Sequence, residues 1–305
     1  MPYLPEALDS LLAQTRPADQ IIVIDDGSSD DSADCVRNYA QRNPRAGIEL
    51  IQQKHGGESA ARNAGIAAAT AAWVAQLDAD DWWEPEKLER QLAAAGGATQ
   101  AESCVFVHTG QITHEADGRT TPMDLVATAL RVGWCTKQLV EPIAISHSSI
   151  LVRRETLERI GGYDVALPHA VDIDVYFKLS VLGTFAFVPE YLVHYRRHDR
   201  QTSWNYKIDQ LRYHHRVIRR FFDQHPPLAK QVGRDFIEAA LRQHVEEKLE
   251  SFWWNRRLHA FRQLLEYADE QGFDGDTLRR WRRRGRLPTW IIRLHDHLRA
   301  TEHRA

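Results

Sequence analysis

Trp73-Val74-Ala75-Gln76-Leu77-Asp78-Ala79-Asp80-Asp81-Trp82-Trp83 is the stretch whose reading decides the fold. Its apolar half has the length and character of a buried strand, and it ends in three carboxylates within four residues. Pro85 then opens a helical pattern, with Leu88 and Leu92 four residues apart. Strand, loaded loop and helix follow one another. In an open α/β sheet ligands sit beyond the carboxyl ends of the strands, so Asp78, Asp80 and Asp81 fall where such a fold places its chemistry. Crowded carboxylates repel one another, and a hard divalent cation with oxygen ligands, Mg²⁺ or Mn²⁺, relieves that repulsion. The competing reading is a helix N-terminus decorated with acids for capping and dipole.

The same unit recurs on the N-terminal side. Leu4, Leu8, Leu11 and Leu12 predict a helix at the start of the chain. Ile21 to Ile24 is a continuous β-branched run closed by Asp25-Asp26-Gly27-Ser28-Ser29-Asp30, and the following helix carries Val36, Tyr39 and Ala40. A third unit runs from Ile48 to Ile51, through Lys54-His55-Gly56-Gly57-Glu58-Ser59, into a helix with Arg62 and Asn63. Alternating helices and wholly apolar strands predict a mostly parallel sheet covered on both faces.

Beyond Gln91 the rhythm loosens. Cys104 to Thr109 and His147 to Val152 read as strands, Thr113 to Thr121 as a polar turn region, and Glu155 to Ile160 as a helix stopped by Gly161-Gly162. Asp172 to Leu182 is amphipathic, and Phe185–Val188 and Tyr191–Tyr195 read as short strands separated by Pro189. After Trp204 only helical patterns remain. The expected division is therefore a catalytic domain over 1–204 and a helical extension over 205–305.

Composition narrows the class without naming a partner. The 305 residues are 43% hydrophobic and 27% charged, with a formal net charge of −3, as in ordinary soluble chains. Nothing there pulls the whole molecule toward nucleic acid, and none is expected as a partner. Cys35, Cys104 and Cys135 are odd in number and widely spaced, which suits free packing thiols in a reducing compartment. No run approaches the roughly 18 apolar residues of a membrane span, and the start has no basic or apolar leader region, so a cytoplasmic location is expected. The basic stretch Arg279-Arg280-Trp281-Arg282-Arg283-Arg284-Gly285-Arg286 admits two readings: peripheral contact with anionic lipid at the inner membrane surface, or a solvated helical face balanced by Glu266, Asp269 and Glu270.

Taken together, these loops resemble the family 2 glycosyltransferases, inverting enzymes of the GT-A fold that transfer a sugar from a nucleotide diphosphate. The likeness runs from residue 4 to about residue 204. Ile22-Val23-Ile24-Asp25-Asp26-Gly27-Ser28-Ser29-Asp30 resembles the family's first nucleotide loop, and Gly57, Ala61, Arg62, Asn63 and Gly65 its second conserved loop and helix. Leu77-Asp78-Ala79-Asp80-Asp81 resembles its DXD motif. Gly161-Gly162-Tyr163-Asp164 with Asp172-Ile173-Asp174 resembles the acceptor-side segment, and Tyr195-Arg196-Arg197-His198 the segment after it.

The resemblance implies a GT-A domain and a helical C-terminal extension, a nucleotide-sugar donor of UDP type, and a saccharide or lipid-linked acceptor in envelope polysaccharide assembly. Asp25, Asp26, Arg62 and Asp78 would hold the nucleotide, and Asp80 and His198 an Mg²⁺ or Mn²⁺ ion. Asp172, with Asp174 as its competitor, would be the general base that takes the acceptor's proton. Arg196, Asp81 and Trp82 would lie by the diphosphate or acceptor, where a guanidinium suits phosphate.

Two departures stand out. Val171 occupies the place where the family usually carries Glu, directly before the base. The family also opens with an apolar strand and a Pro-Thr-Tyr-Asn-like loop ahead of the helix at Leu4, and neither is present in these residues. The strand at Ile21 is therefore expected to lack a ladder partner. A start codon placed too late, with Met1 inside the true first loop, and a degenerate copy are the two explanations. The alternatives to an active enzyme are a non-catalytic binding or scaffolding relative and a nucleotidyltransferase.

Overall fold

The computed structural model describes residues 2–96, 103–141, 145–199, 201 and 208–286. In chain order its elements are α1 (Leu4–Leu12), β1 (Ile21–Asp25), α2 (Ser32–Arg42), β2 (Ile48–Gln52), α3 (Glu58–Ala68), β3 (Trp73–Ala75), β4 (Trp82–Trp83) and α4 (Lys87–Ala95). They continue with β5 (Cys104–His114), β6 (Thr120–Pro122), α5 (Leu125–Thr128), β7 (Leu151–Arg153), α6 (Arg154–Arg159), α7 (Val171–Ser180) and β8 (Thr184–Arg196). Helices α8 (Ile208–Gln224), α9 (Pro226–Val232), α10 (Arg234–Trp254), α11 (Leu258–Glu270) and α12 (Asp276–Gly285) complete the described chain.

The chain divides into two compact units, Met1–Tyr206 with Tyr213–His225, and Lys207–Arg212 with Pro226–Ala305. The boundary expected near residue 205 lies outside the described residues.

In the first unit the α/β alternation follows the sequence pattern closely, while the ladders run in both directions. Strands β1 and β2 pair in parallel, Ile21 opposite Ile48, so the strand at Ile21, expected to lack a ladder partner, has one in β2. A separate sheet has the order β3-β7-β5-β8-β4, with β6 added to β5. There β5 and β8 are parallel, and the remaining pairs are antiparallel. Apolar strands buried on both faces look alike in either direction, so composition alone suggested a more uniformly parallel sheet.

Three local readings are corrected. The Thr113 to Thr121 region is a hairpin, in which β5 continues to His114 and pairs with β6. Residues His147–Ser149 form a 3₁₀ turn, so the expected strand contracts to Leu151–Arg153. Pro189 does not separate two strands: β8 is continuous, and the register steps from Thr109 opposite Val188 to Gly110 opposite Tyr191. The bulge accommodates a residue that has no N–H for the ladder.

The core of the first unit lies on β5, β7 and β8, with Phe106, Val107, Val152 and Val193 fully buried. Helix α7 fills out the same unit, and Phe177 meets Phe221 of α8 at 4.9 Å between ring centroids. Cys104 and Cys135 are buried free thiols, and Cys35 is half-buried.

The second unit is helical throughout its described part. Trp281 and Leu278 of α12 are buried, and Trp281 packs edge-on against Phe261 of α11. Within the basic run, Arg279 pairs with Asp274 and Asp276, and Arg282 with Asp269 and Asp274. Among the described residues, no helix is long and apolar enough to cross a membrane.

Candidate active site

The acidic loop between β3 and β4 is the centre of the site. Its three carboxylates have three different surroundings.

Asp81 is 1% exposed and ties the loop to its neighbours: its carboxylate accepts from Ser148 Oγ at 2.6 Å and from the Arg196 N–H at 3.0 Å. Burial, with Asp78 close by, pushes its carboxyl up to about 8. Ser148 Oγ also accepts from the Asp78 N–H at 3.1 Å, so one hydroxyl fixes both ends of the loop. Asp78 faces outward to Arg62 Nη2 at 3.2 Å. Asp80 Oδ2 lies 3.0 Å from His198 Nε2 and 3.2 Å from Gln201 Nε2.

Arg62 gathers the other side. It stands on α3, pairs with Glu58 as well as Asp78, and lies with its guanidinium 5.4 Å from the Tyr163 ring centre. Burial works against its charge, but Asp78 and Glu58 outweigh it and raise its pKa.

Asp172, at the start of α7, shares this field with Arg62 and Asp78. Burial raises its carboxyl above the usual range, a direction useful to a group that must accept a proton. The residue before the helix, Ala170, sits at φ 59°, a left-handed conformation uncommon outside glycine. Such strain is found where a segment is held for a purpose. Val171 is 7% exposed, so the position expected to carry Glu is part of the core.

Asp174, only two residues on, is 4% exposed and faces elsewhere. It pairs with Lys178 Nζ at 2.6 Å and with Arg220 NH2 at 2.6 Å, and Arg220 also reaches Asp164 at 3.2 Å. Asp172 thus lies within the electrostatic reach of Arg62 and Asp78, and Asp174 anchors α7 to α8.

The first acidic loop is knitted tightly. Asp25 accepts from the Ser28 N–H at 2.8 Å and from Gln52 Nε2 at 3.0 Å, and the Ser28 hydrogen bonds lower its pKa. Asp26 accepts from Gln53 Nε2 and from the N–H groups of Gly56 and Gly57, and pairs with His55. Burial pushes the Asp26 carboxyl up, yet these donors leave it lowered overall. The two aspartates bind the β1–α2 loop to the β2–α3 loop, so their oxygens are largely engaged within the protein.

At the far side Arg196 is layered between two rings, 4.4 Å from Tyr3 and 4.5 Å from Trp82, with its Nε–H donating to Asp80 O at 3.0 Å. It also pairs with Glu6. Trp82 lies flat on His194 at 4.7 Å, whereas Trp83 is buried and donates to Ser148 O.

Several site residues carried no signal of their own in the sequence. Ser148 and Gln76 belong to no motif, and Glu58 passed as part of a turn. His147 is half-buried among Gln76 Oε1 at 2.5 Å, Tyr163 OH at 2.9 Å and Tyr176 OH at 3.2 Å, and desolvation keeps it neutral. Only the fold brings these together beneath Arg62 and Asp172.

The sequence profile of glycosyl transferase family 2 matches residues 1–160, more than half of the chain. The chain belongs to that family. An uncharacterized glycosyltransferase of Nostoc sp. is 33% identical to this family 2 chain over 205 residues, covering 64% of it and 61% of the relative. Chondroitin synthase of Escherichia coli is 25% identical over 217 residues, covering 71% of this chain and 30% of that protein. The chain therefore spans less than two thirds of the length of either relative.

Solved structures share the fold. A mannosyltransferase from Pyrobaculum calidifontis in complex with GDP-Man and Mn²⁺ superposes with a TM-score of 0.57 at 19% identity, over 90% of this chain and 73% of that one. S. aureus TarS 1–349 in complex with UDP-GlcNAc gives 0.58 at 15% identity, over 89% and 88%.

Proposed function

We propose that this family 2 chain is an inverting glycosyltransferase that moves a sugar from a nucleotide diphosphate donor to a saccharide or lipid-linked acceptor. The observation that carries the reading is the division of labour on α7. Asp172 feels the charges of Arg62 and Asp78, which pair with each other, while Asp174 is consumed by Lys178 and Arg220.

In this reading the acceptor hydroxyl approaches Asp172, whose raised proton affinity lets it take the hydroxyl proton as the new bond forms. Displacement from the side opposite the leaving group inverts the anomeric carbon. Arg62 and Arg196 supply guanidinium groups to the anionic donor, and Asp78 meets its ribose. Asp25 and Asp26 shape the nucleoside end through the loops they join.

Asp80 and His198 bring a hard oxygen and an imidazole nitrogen within 3.0 Å, a donor pair that fits Mg²⁺ or Mn²⁺. Among the described residues, no third His, Cys, Asp or Glu completes a metal cage. This suits a cation held by one or two protein groups together with substrate phosphates. Such an ion, when bound, stabilises the charge left on the departing diphosphate. The relatives bound to UDP-GlcNAc and GDP-Man support a nucleotide-sugar donor, and we take UDP as the carrier.

Titration calorimetry of UDP and GDP, with Mn²⁺ and with EDTA, tests the reading on the chain and on Asp80→Ala. UDP binding that needs Mn²⁺ and weakens at least tenfold in Asp80→Ala is the expected result. Absence of nucleotide binding under every condition overturns it for this chain.

A further inference from the structure

The basic run 279–286 divides among the faces of α12. Leu278, Trp281 and Gly285 recur at helical spacing and turn inward: the first two are buried, and a Cβ on Gly285 would lie 2.6 Å from Leu265 Cδ1. Arg279 and Arg282, one turn apart, face the acids Asp269, Asp274 and Asp276. Arg280, Arg283 and Arg284 take the remaining side. There Arg284 lies 5.8 Å from the Trp253 ring of α10 and 4.8 Å from the Trp281 ring, and Arg280 lies 5.5 Å from Trp281. Among the described residues, neither Arg283 nor Arg284 has an ion-pair partner.

The turn after α10 brings further guanidinium groups to the same rings. Arg256 donates to Trp253 O at 2.9 Å and lies 5.9 Å from both the Trp253 and the Trp254 rings. Arg257 follows it and is exposed. Phe252 and Trp253 are buried, but Trp254 is 50% exposed, so a large indole stands on the surface beside these cations.

Carboxylates on this side are few. Glu246 pairs with Arg242 at 3.9 Å and also feels Arg280, and Glu250 stands one turn before Trp254. An exposed indole flanked by arginines suits a bilayer interface, with the ring at headgroup depth and the guanidinium groups on anionic headgroups. A polynucleotide asks for a continuous track of cations. Here the track is broken, because the largely exposed Asp274 and Asp276 border the next face of the same helix.

We propose that the surface formed by Trp254, Arg256, Arg257, Arg283 and Arg284 docks the second unit onto an anionic lipid bilayer. A flat sheet of phosphate headgroups needs only this one patch, and the pairs made by Arg279 and Arg282 stay intact beside it. Docking of this kind does not depend on the proposed transfer reaction, and it is read without donor or acceptor.

Co-sedimentation of the whole chain with vesicles tests it, using phosphatidylcholine alone and phosphatidylcholine with about 30 mol% phosphatidylglycerol. Binding should be at least tenfold tighter on the anionic vesicles at about 0.1 M salt, and should fall at least tenfold by about 0.5 M. One basic side chain near such a surface is worth about fivefold in partition, so Arg257→Gln with Arg283→Gln, both exposed, should weaken binding about 25-fold. Arg257→Lys with Arg283→Lys keeps the charge and should bind within about threefold of the unaltered chain. Brominated acyl chains should quench part of the tryptophan emission, and Trp254→Phe should remove most of that quenching.

Four outcomes overturn the proposal. They are equal binding to the two kinds of vesicle, anionic binding that survives Arg257→Gln with Arg283→Gln, binding to a single-stranded RNA but to neither vesicle, which assigns the patch to nucleic acid, and a dimer in vesicle-free solution that Trp254→Ser dissolves, which assigns it to a second copy.

Discussion

Asp172 and Asp174 lie on one helix turn and answer to different neighbours, which separates their mutants. Asp172→Asn removes the proposed proton acceptor while leaving Arg62 and Asp78 in place. Turnover should fall by about 10²- to 10⁴-fold with nucleotide affinity within a factor of about three, measured by donor consumption and calorimetry. Asp174→Asn leaves Lys178 and Arg220 facing a neutral amide in a buried spot. A full burial of the pair would make that loss about 3 to 5 kcal/mol. Both cations are roughly one-third exposed, so about 1 to 3 kcal/mol is expected, read as a lower unfolding midpoint with residual activity retained. The sequence did not separate these two residues because α7 is buried nearly all round: Val171, Ile173, Asp174, Val175, Tyr176 and Phe177 are all inside. A helix without an exposed stripe gives periodicity nothing to report.

Between elements, the junction of α3 with the turn after α6 is the tightest part of the site. Asn63 Nδ2 donates to Tyr163 O at 2.8 Å, and its Oδ1 accepts from the Tyr163 N–H at 2.7 Å. Gly162 makes room for this pair: its φ is +68°, and a Cβ there would lie 2.3 Å from Asn63 Oδ1. Gly162→Ala should cost about 1 to 3 kcal/mol for the backbone conformation alone, and more for the clash, measured by urea unfolding. Asn63→Ala should loosen the same turn and slow catalysis through Tyr163 and Asp172. At this scale the sequence was informative where punctuation is local. The Gly161-Gly162 stop, the N-terminal helix at Leu4–Leu12 and the strand at Ile21 all stood in the pattern. Ladder direction and the Pro189 bulge depend on which strands meet, and a single apolar run holds no record of its partner.

For the molecule as a whole, buried histidines set the acid limit. His108 is fully buried, and burial lowers its pKa from 6.5 to about 4; burial also holds His147 well below the usual value. The unfolded chain protonates these imidazoles near pH 6.5 and the folded chain does not, so the stability they confer is present above pH 6.5 and is lost as pH falls toward 4. His108 contributes about 1.4 kcal/mol per pH unit in that window. Urea unfolding at pH 7, 6 and 5 should show a decline of about 2 kcal/mol from His108 by pH 5, and His108→Gln should flatten the slope by one proton. The acidic loop was legible in the sequence as carboxylates gathered after a strand, and its chemistry is the proposal made above. The supporting layer of Ser148, His147, Gln76 and Tyr163 was not, because residues 76, 147, 148 and 163 converge only through folding.

The layering of Arg196 between Tyr3 and Trp82 also gives the protein an optical gauge. An anionic ligand that draws the guanidinium away changes the electrostatic surroundings of the indole, and with them its emission. The difference spectrum between the chain and Trp82→Phe would then follow occupancy of the site in real time, with no label attached.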